Sequence, residues 1–362
     1  MKMKRAVSNQ SVLSPGQWGL TFLFSLFVFG VSSCKSVETK GAETISNSES
    51  QGIKRSPETR LRVVSYNGYF TSIFPKDNGE VRSNKFIGAK GIDGEARLRQ
   101  FAKWASKARA DIWVMQEIIY LKEDQADTSA EGIGKYFEEI TGDTWYAAAD
   151  NRGRLVLSKY PILWSGAVKN ARGMAALIDL PESLADDLLL INLHFLTKPP
   201  EVQVSQATRA LDFIESVGRG EITEIPKDTP IMICGDFNSE PSERPYNILT
   251  KLDREAKPND GKVIHCNDPR PKQLMSEARG TFGEVVWSGA IGKSDAQPPS
   301  RTIDYILPAK GFMKIHQAFL FNSLILPEKT LSEYGIERDA ILLKREGNRE
   351  KVDHLPVFLD LK

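Results

Sequence analysis

The run Ile231-Met232-Ile233-Cys234 and the four residues after it, Gly235-Asp236-Phe237-Asn238, constrain this chain more than any other stretch. Four apolar residues closed abruptly by glycine predict a buried strand. Gly235 lets the main chain pass close to another group, and Pro241 and Ser242 turn it away. Asp236 and Asn238 stand two apart, so on an extended backbone their side chains leave from one face. A carboxylate and an amide at the mouth of a buried strand can orient a water and hold a phosphoryl oxygen. Alone, the same residues also read as an Asx-type turn that ends the strand.

The pattern of an apolar run with a polar residue at its end recurs. Leu61 to Asn67 is rich in β-branched residues and stops at Asn67-Gly68, a strand followed by a turn. Between Glu95 and Ala110, Leu98, Phe101, Ala102, Ala105 and Ala108 share one helical face. Ile112 to Glu117 is a strand whose terminal acid is costly unless it reaches solvent, a partner or a metal. Leu155 to Pro161 and Gly173 to Leu180 read as a pair of antiparallel strands, and Leu188 to His194 as an apolar strand ending on His194. Gln206 to Val217 is amphipathic, Arg301 to Leu307 is a strand with Asp304 at its middle, and Asp353-His354 precede a terminal strand. Each polar residue has a bland reading when taken singly. His194 reads as a satisfied core residue, Asp304 as a partner of Arg301, and Asp353-His354 as a turn. Folding alone does not gather acids, amides and imidazoles at strand ends while leaving the strands apolar.

The N-terminus has a different character. Lys2, Lys4 and Arg5 meet no acid before Glu38, and Trp18 to Val31 is almost wholly apolar, the form of a secretory signal. Val31-Ser32-Ser33-Cys34 resembles the bacterial lipobox, which implies a signal peptide over residues 1–33 and lipidation of Cys34. Residues 34–59 are polar and small enough to form a flexible tether, and the globular domain is expected over 60–362. The expected location is therefore the cell envelope, by a lipid anchor in the membrane; Lys35 after the cysteine points to the outer membrane in a diderm bacterium. The formal charge is +1 over 362 residues, and export would remove three cations and leave a weakly acidic protein. General attraction to polyanions is thereby excluded, and any nucleic-acid contact must be local. Of the remaining cysteines, Cys234 reads as a small buried hydrophobe, with a bond to Cys266 left open. No Cys/His cluster has zinc spacing.

Asn67, Gln116-Glu117, His194, Gly235-Asp236-Phe237-Asn238, Ile303-Asp304-Tyr305 and Asp353-His354, in this order, resemble the endonuclease/exonuclease/phosphatase superfamily. The resemblance spans about residues 60–362 and implies the DNase I-like α/β fold: a four-layer sandwich of two mixed β-sheets flanked by helices. It implies that Glu117 is the principal ligand of a divalent cation, Mg2+ or Mn2+, with Asn67 and Asp353 beside it. Oxygen ligands of this kind suit a hard cation rather than zinc. It further implies that His354 is the catalytic imidazole, held by Asp304, and that Asp236 handles the attacking water. Asn238 then binds the phosphate, and His194 faces the leaving oxygen.

Departures from the family pattern blur the subfamily. Val352 stands where a serine commonly precedes the Asp-His pair, Gly68-Tyr69-Phe70 supplies no acid shortly after Asn67, and Arg154 replaces a frequent asparagine. The function expected is a metal-dependent phosphodiesterase, acting as a monomer on nucleic acid. The alternatives are a sphingomyelinase- or inositol-phosphatase-like hydrolase and a non-catalytic surface-binding lipoprotein. Basic residues of the Phe70–Asp93 loop read first as a solvated charge run and second as contacts to a phosphate backbone, and Trp287 to Ser300 is a candidate to stack a base or touch a lipid headgroup.

Overall fold

The computed structural model describes residues 53–68, 94–118, 130–150, 152–197, 199–257, 303–338, 340–341, 344–346, 349–351 and 354–362. The expected signal peptide, Cys34, the loop after Phe70, Cys266, Trp287 to Ser300 and Asp353 lie outside the described residues. All described elements belong to the unit Ser48–Lys362.

The strands form two mixed sheets. The first takes β1 (Leu61–Asn67), β2 (Ile112–Gln116), β3 (Tyr146–Ala149), β4 (Leu155–Ser158), β10 (Ile315–Leu320) and β13 (Val357–Leu361), in the order β10-β13-β1-β2-β4-β3. The second takes β5 (Ile162–Val168), β6 (Gly173–Ile178), β7 (Leu188–His194), β8 (Ile231–Asp236) and β9 (Asp304–Pro308), in sequence order. β1 runs parallel to β2, and β7 parallel to β8, while β13 and β9 run antiparallel to their neighbours. A small hairpin, β11 (Lys344–Glu346) with β12 (Arg349–Lys351), stands apart from both.

The layers follow from alternation along strands that are apolar on both faces. Leu61 and Val63 of β1 and Ile112 and Val114 of β2 meet Leu188, Leu190, Met232 and Cys234 between the sheets. Their alternates, Val64, Tyr66, Trp113 and Met115, pack outward against α1 (Gly94–Ala108) and α2 (Ala130–Thr141). Leu189, Ile191, Ile231 and Ile233 pack outward against α3 (Pro200–Arg219) and α4 (Arg244–Lys251). Helix, sheet, sheet, helix is the four-layer sandwich expected, and Cys234 is free and wholly buried in its middle. Burying each large aliphatic side chain is worth roughly 1.5–3 kcal/mol, so the inter-sheet layer alone is a major part of what holds the fold.

Two readings of the sequence need correction. Leu155–Ser158 and Gly173–Ile178 do not pair with each other: β4 joins β2 and β3 in the first sheet, and β6 lies between β5 and β7 in the second. The chain crosses between the sheets at Tyr160-Pro161, and β5 is the edge strand that sequence reading passed over. Its burial alternates, but Leu163 takes an outer position, 55% exposed, and Gly166 an inner one, so the sequence does not show the alternation. Asp304 begins β9 instead of occupying its middle, which puts its carboxylate at the sheet's rim. The segment 326–351 holds a short helix, α5 (Glu328–Tyr334), and the β11–β12 hairpin.

Candidate active site

Strand direction gathers the site. Parallel strands β1, β2, β7 and β8 end at one rim, and the antiparallel β9 and β13 begin there. Asn67 closes β1, Glu117 follows β2, His194 closes β7, Asp236 closes β8, Asp304 opens β9, and His354 precedes β13. In the second sheet His194 is in register with Asp236, and Asp236 with Asp304.

Side chains then close the gap between sheets. Asn67 Nδ2 donates to Asp236 Oδ2 at 3.0 Å and to Glu117 Oε1 at 3.3 Å. His194 Nε2 stands 3.3 Å from the same Glu117 oxygen and 4.0 Å from Asp236 Oδ2. His354 Nδ1 meets Asp304 Oδ2 at 2.8 Å, and its Nε2 lies 3.7 Å from Asp236 Oδ2. Asn238 donates its backbone N–H to Asp236 Oδ1 at 2.7 Å, and its amide to Phe195 O at 2.9 Å and Asp236 Oδ2 at 3.2 Å. The structure thus brings Asn67, Glu117, His194, Asp236, Asn238, Asp304 and His354 into one buried cluster; Asp353 is outside the described residues.

The backbone at the rim is strained where function is concentrated. Glu117 has φ 52° and Asn238 φ 47°, both left-handed, a conformation that costs a non-glycine residue about 1 kcal/mol or more. Gly235 has φ 130°, and a Cβ there would sit 1.9 Å from Leu193 O. Glycine is required so that β8 can lie against β7 just below Asp236.

Electrostatics separate the two central carboxylates. Burial, then the Asp304 charge, push the Asp236 carboxyl up to about 6, against the pull of His354 and His194. Burial also pushes the Glu117 carboxyl up, but the hydrogen bond and charge of His194, the charge of His354 and the Asn67 amide hold it below the ordinary carboxylate range. Glu117 Oε2 and His194 Nδ1 are buried with no partner among the described residues. Glu117, His194 and Asp236 each offer an atom within 4.8 Å of the others, as do Asp236, Asp304 and His354. An ionised carboxylate with an unfilled buried oxygen, beside further acids and an amide, fits a divalent cation. Glu117 and Asn67 would hold it, and when bound it would neutralise charge on a phosphoryl oxygen.

Supporting residues were missed in the sequence. Gln203 on α3 donates to Leu196 O at 2.8 Å, Thr197 O at 3.3 Å and Asn238 O at 2.8 Å, while Gln206 accepts the Leu196 N–H at 3.0 Å. Below the rim, Gln116 Nε2 donates to Asn192 Oδ1 at 2.9 Å, and Asn192 Nδ2 to Met115 O and Leu155 O at 2.9 and 3.1 Å, locking the sheets together. The signal was available: Gln203 and Gln206 lie on the apolar face of their helix, and Asn192 interrupts an otherwise apolar strand.

Fold and rim together define a class, a two-sheet sandwich that gathers acids, amides and imidazoles at one rim. The model of the Endonuclease/Exonuclease/phosphatase family matches residues 78–323, and the chain belongs to that family. Members of that family are phosphoric ester hydrolases, typically dependent on a divalent metal. Among solved structures, the endonuclease/exonuclease/phosphatase from Bacteroides vulgatus is 15% identical with TM-score 0.50, covering 83% of this chain and 98% of that one. A family protein from Bacteroides thetaiotaomicron is 14% identical with TM-score 0.50, covering 83% and 97%. At these identities the likeness is one of fold. Protein angel of Drosophila melanogaster is 26% identical over 136 residues, 38% of this chain and 32% of that protein. The chain therefore matches only about a third of the length of this curated relative.

Proposed function

We propose that the protein is a phosphodiesterase that hydrolyses nucleic acid by attack of water on phosphorus, with Mg2+ or Mn2+ as its cation. The observation that carries this reading is the placement of two imidazoles, His194 and His354, within 4.0 and 3.7 Å of the single carboxylate oxygen Asp236 Oδ2. A phosphodiester needs a base for the water, a donor to the phosphoryl oxygens and a donor to the leaving oxygen. Asp236, pushed up to about 6, is poised near neutral pH to take the water's proton. His354, oriented through Nδ1 by Asp304, presents Nε2 as a donor to the phosphoryl group. His194 presents Nε2 between Glu117 and Asp236, from where it can protonate the leaving alkoxide. Asn238 spends its three N–H donors on Asp236 and Phe195 O, and so fixes the Asp236 carboxylate in place beside the phosphate.

Purified protein is assayed with magnesium or manganese against plasmid, single-stranded DNA, RNA and sphingomyelin liposomes. Cation-dependent cleavage of nucleic acid is expected, and turnover confined to liposomes would replace this substrate by phospholipid. The same reading places the enzyme on a membrane through lipidated Cys34. Cys34→Ser then abolishes palmitate labelling and releases the protein from the membrane fraction; unchanged partitioning of an unlabelled wild type would contradict the anchor.

A further inference from the structure

The two rims run in step. Along the first sheet the strands follow as β13, β1, β2, β4; along the second as β9, β8, β7, β6. Each of the first three steps sets one facing pair across the gap. His354 meets Asp304 at 2.8 Å, Asn67 meets Asp236 at 3.0 Å, and Glu117 meets His194 at 3.3 Å. At the fourth step the residues just before β4 and β6 are Arg154 and Arg172.

Both arginines are tied to the site beside them. Arg172 accepts the His194 N–H on its own carbonyl at 3.0 Å and donates Nε to His194 O at 2.9 Å. Ile118, next to Glu117, donates its N–H to Gly153 O at 3.0 Å, which fixes the backbone leading into Arg154. The Arg154 side chain is only 3% exposed. Its Nε and one terminal nitrogen share Asp150 Oδ2, while the other Asp150 oxygen is taken by the N–H groups of Arg152 and Arg154. The remaining terminal nitrogen is buried with no partner among the described residues. Burial opposes the Arg154 charge; Asp150 offsets this, and the nearby charges of Arg172 and Arg152 add repulsion. A buried guanidinium with spare donors, beside a second one and with a single carboxylate already used, has no further anion among the described residues.

We propose that Arg154 and Arg172 form a subsite for a second phosphate of the substrate, one strand spacing, ~4.8 Å, beyond the Glu117–His194 pair. The substrate is then an ester with another phosphate close to the one cleaved, from a nucleic-acid strand or a small bisphosphate. The cleavage half of this inference rests on the phosphoesterase reading of the rim; the binding half stands without it. If Arg154 serves only to brace its turn through Asp150, substrate preference is indifferent to it.

The test compares the thymidine dinucleotide TpT with pTpT, which adds one terminal phosphate, and a myo-inositol monophosphate with a bisphosphate. Calorimetry on His354→Ala protein with magnesium measures binding without rapid turnover. Wild-type turnover gives the ratio of kcat/KM within each pair. At least about a tenfold preference for the doubly phosphorylated member is expected. Arg172→Gln, and Arg154→Gln where it folds, should erase most of that preference. Arg172 is only partly buried, so its variant decides if Arg154→Gln does not fold. Equal binding of both members of both pairs, or a preference that survives in folded Arg172→Gln protein, overturns the subsite. A preference seen only with inositol phosphates keeps the subsite and assigns it to small bisphosphates. Preferential binding with no turnover of any compound keeps the subsite and removes the catalytic reading.

Discussion

Asp236 is the residue on which the site turns, because it touches Asn67, Asn238 and both imidazoles while buried among them. Its carboxyl is pushed from an ordinary 3.8 up to about 6, so the fold favours the protonated form. The stabilising share of that proton is complete below pH 3.8 and is lost as pH rises through about 6. In cation-free protein this loss is on the order of 2–3 kcal/mol. Asp236→Asn cannot lose it, whatever constant cost the amide brings. The melting temperature of the variant relative to wild type should climb by a few degrees between about pH 4.5 and 7.5. A difference that stays flat with pH would show that Asp236 is not held protonated by its surroundings. His354 and Asp304 form the other unit at this scale. Each alanine variant should lower turnover by roughly 10²-fold or more, with the double variant falling little further. Strictly multiplicative losses would mean that the two act independently.

At the scale of elements, the ends of the strands do different work. At the rim, Gly235 permits the contact of β8 with β7; Gly235→Ala puts a Cβ against Leu193 O at positive φ and should cost more than about 2 kcal/mol in denaturant unfolding. At the far end of β1, Arg62 is fully buried against Asp360, with Nε–Oδ1 at 2.6 Å and further bonds to Ile53 O and Ala108 O. Asp360 also accepts from Thr59 and Gln317. Asp360→Ala strands a buried guanidinium and should destabilise by roughly 3–5 kcal/mol, while activity per folded molecule persists. An unaffected unfolding midpoint would show that the pair is dispensable. The rim was legible in the sequence because each functional residue closes or opens a run of apolar residues, a contrast that survives without an alignment. The pairing of strands was not. Which sheet Leu155–Ser158 joins depends on a crossing at Tyr160-Pro161 and on an edge strand whose alternation is hidden in the sequence because Leu163 faces outward. Arg62 and Asp360 were hidden for a related reason, since charges inside apolar strands look like solvent-facing positions until their partners are known.

For the whole molecule, two sheets packed face to face make a site only if their rims are held in register across the gap. The inter-sheet layer of aliphatic side chains and the Gln116–Asn192 lock do this below the site; a divalent cation on Glu117 and Asn67 would bind only the folded rim. Cation binding should therefore stabilise the entire fold, by about 2.7 kcal/mol at a hundred times the dissociation constant. Glu117→Gln, which removes a charge and keeps the shape, should lose most of that gain while its cation-free melting temperature stays near wild type. An unchanged gain would move the cation elsewhere. The claim that joins all scales is that this rim hydrolyses phosphoric esters with a divalent cation. The most direct measurement is the turnover of bis-p-nitrophenyl phosphate by wild-type and His354→Ala protein, each with magnesium and with EDTA. Wild-type turnover that EDTA abolishes, with His354→Ala slower by roughly 10²-fold or more, is the predicted result. Turnover indifferent to EDTA, or a fully active His354→Ala protein, would contradict the account.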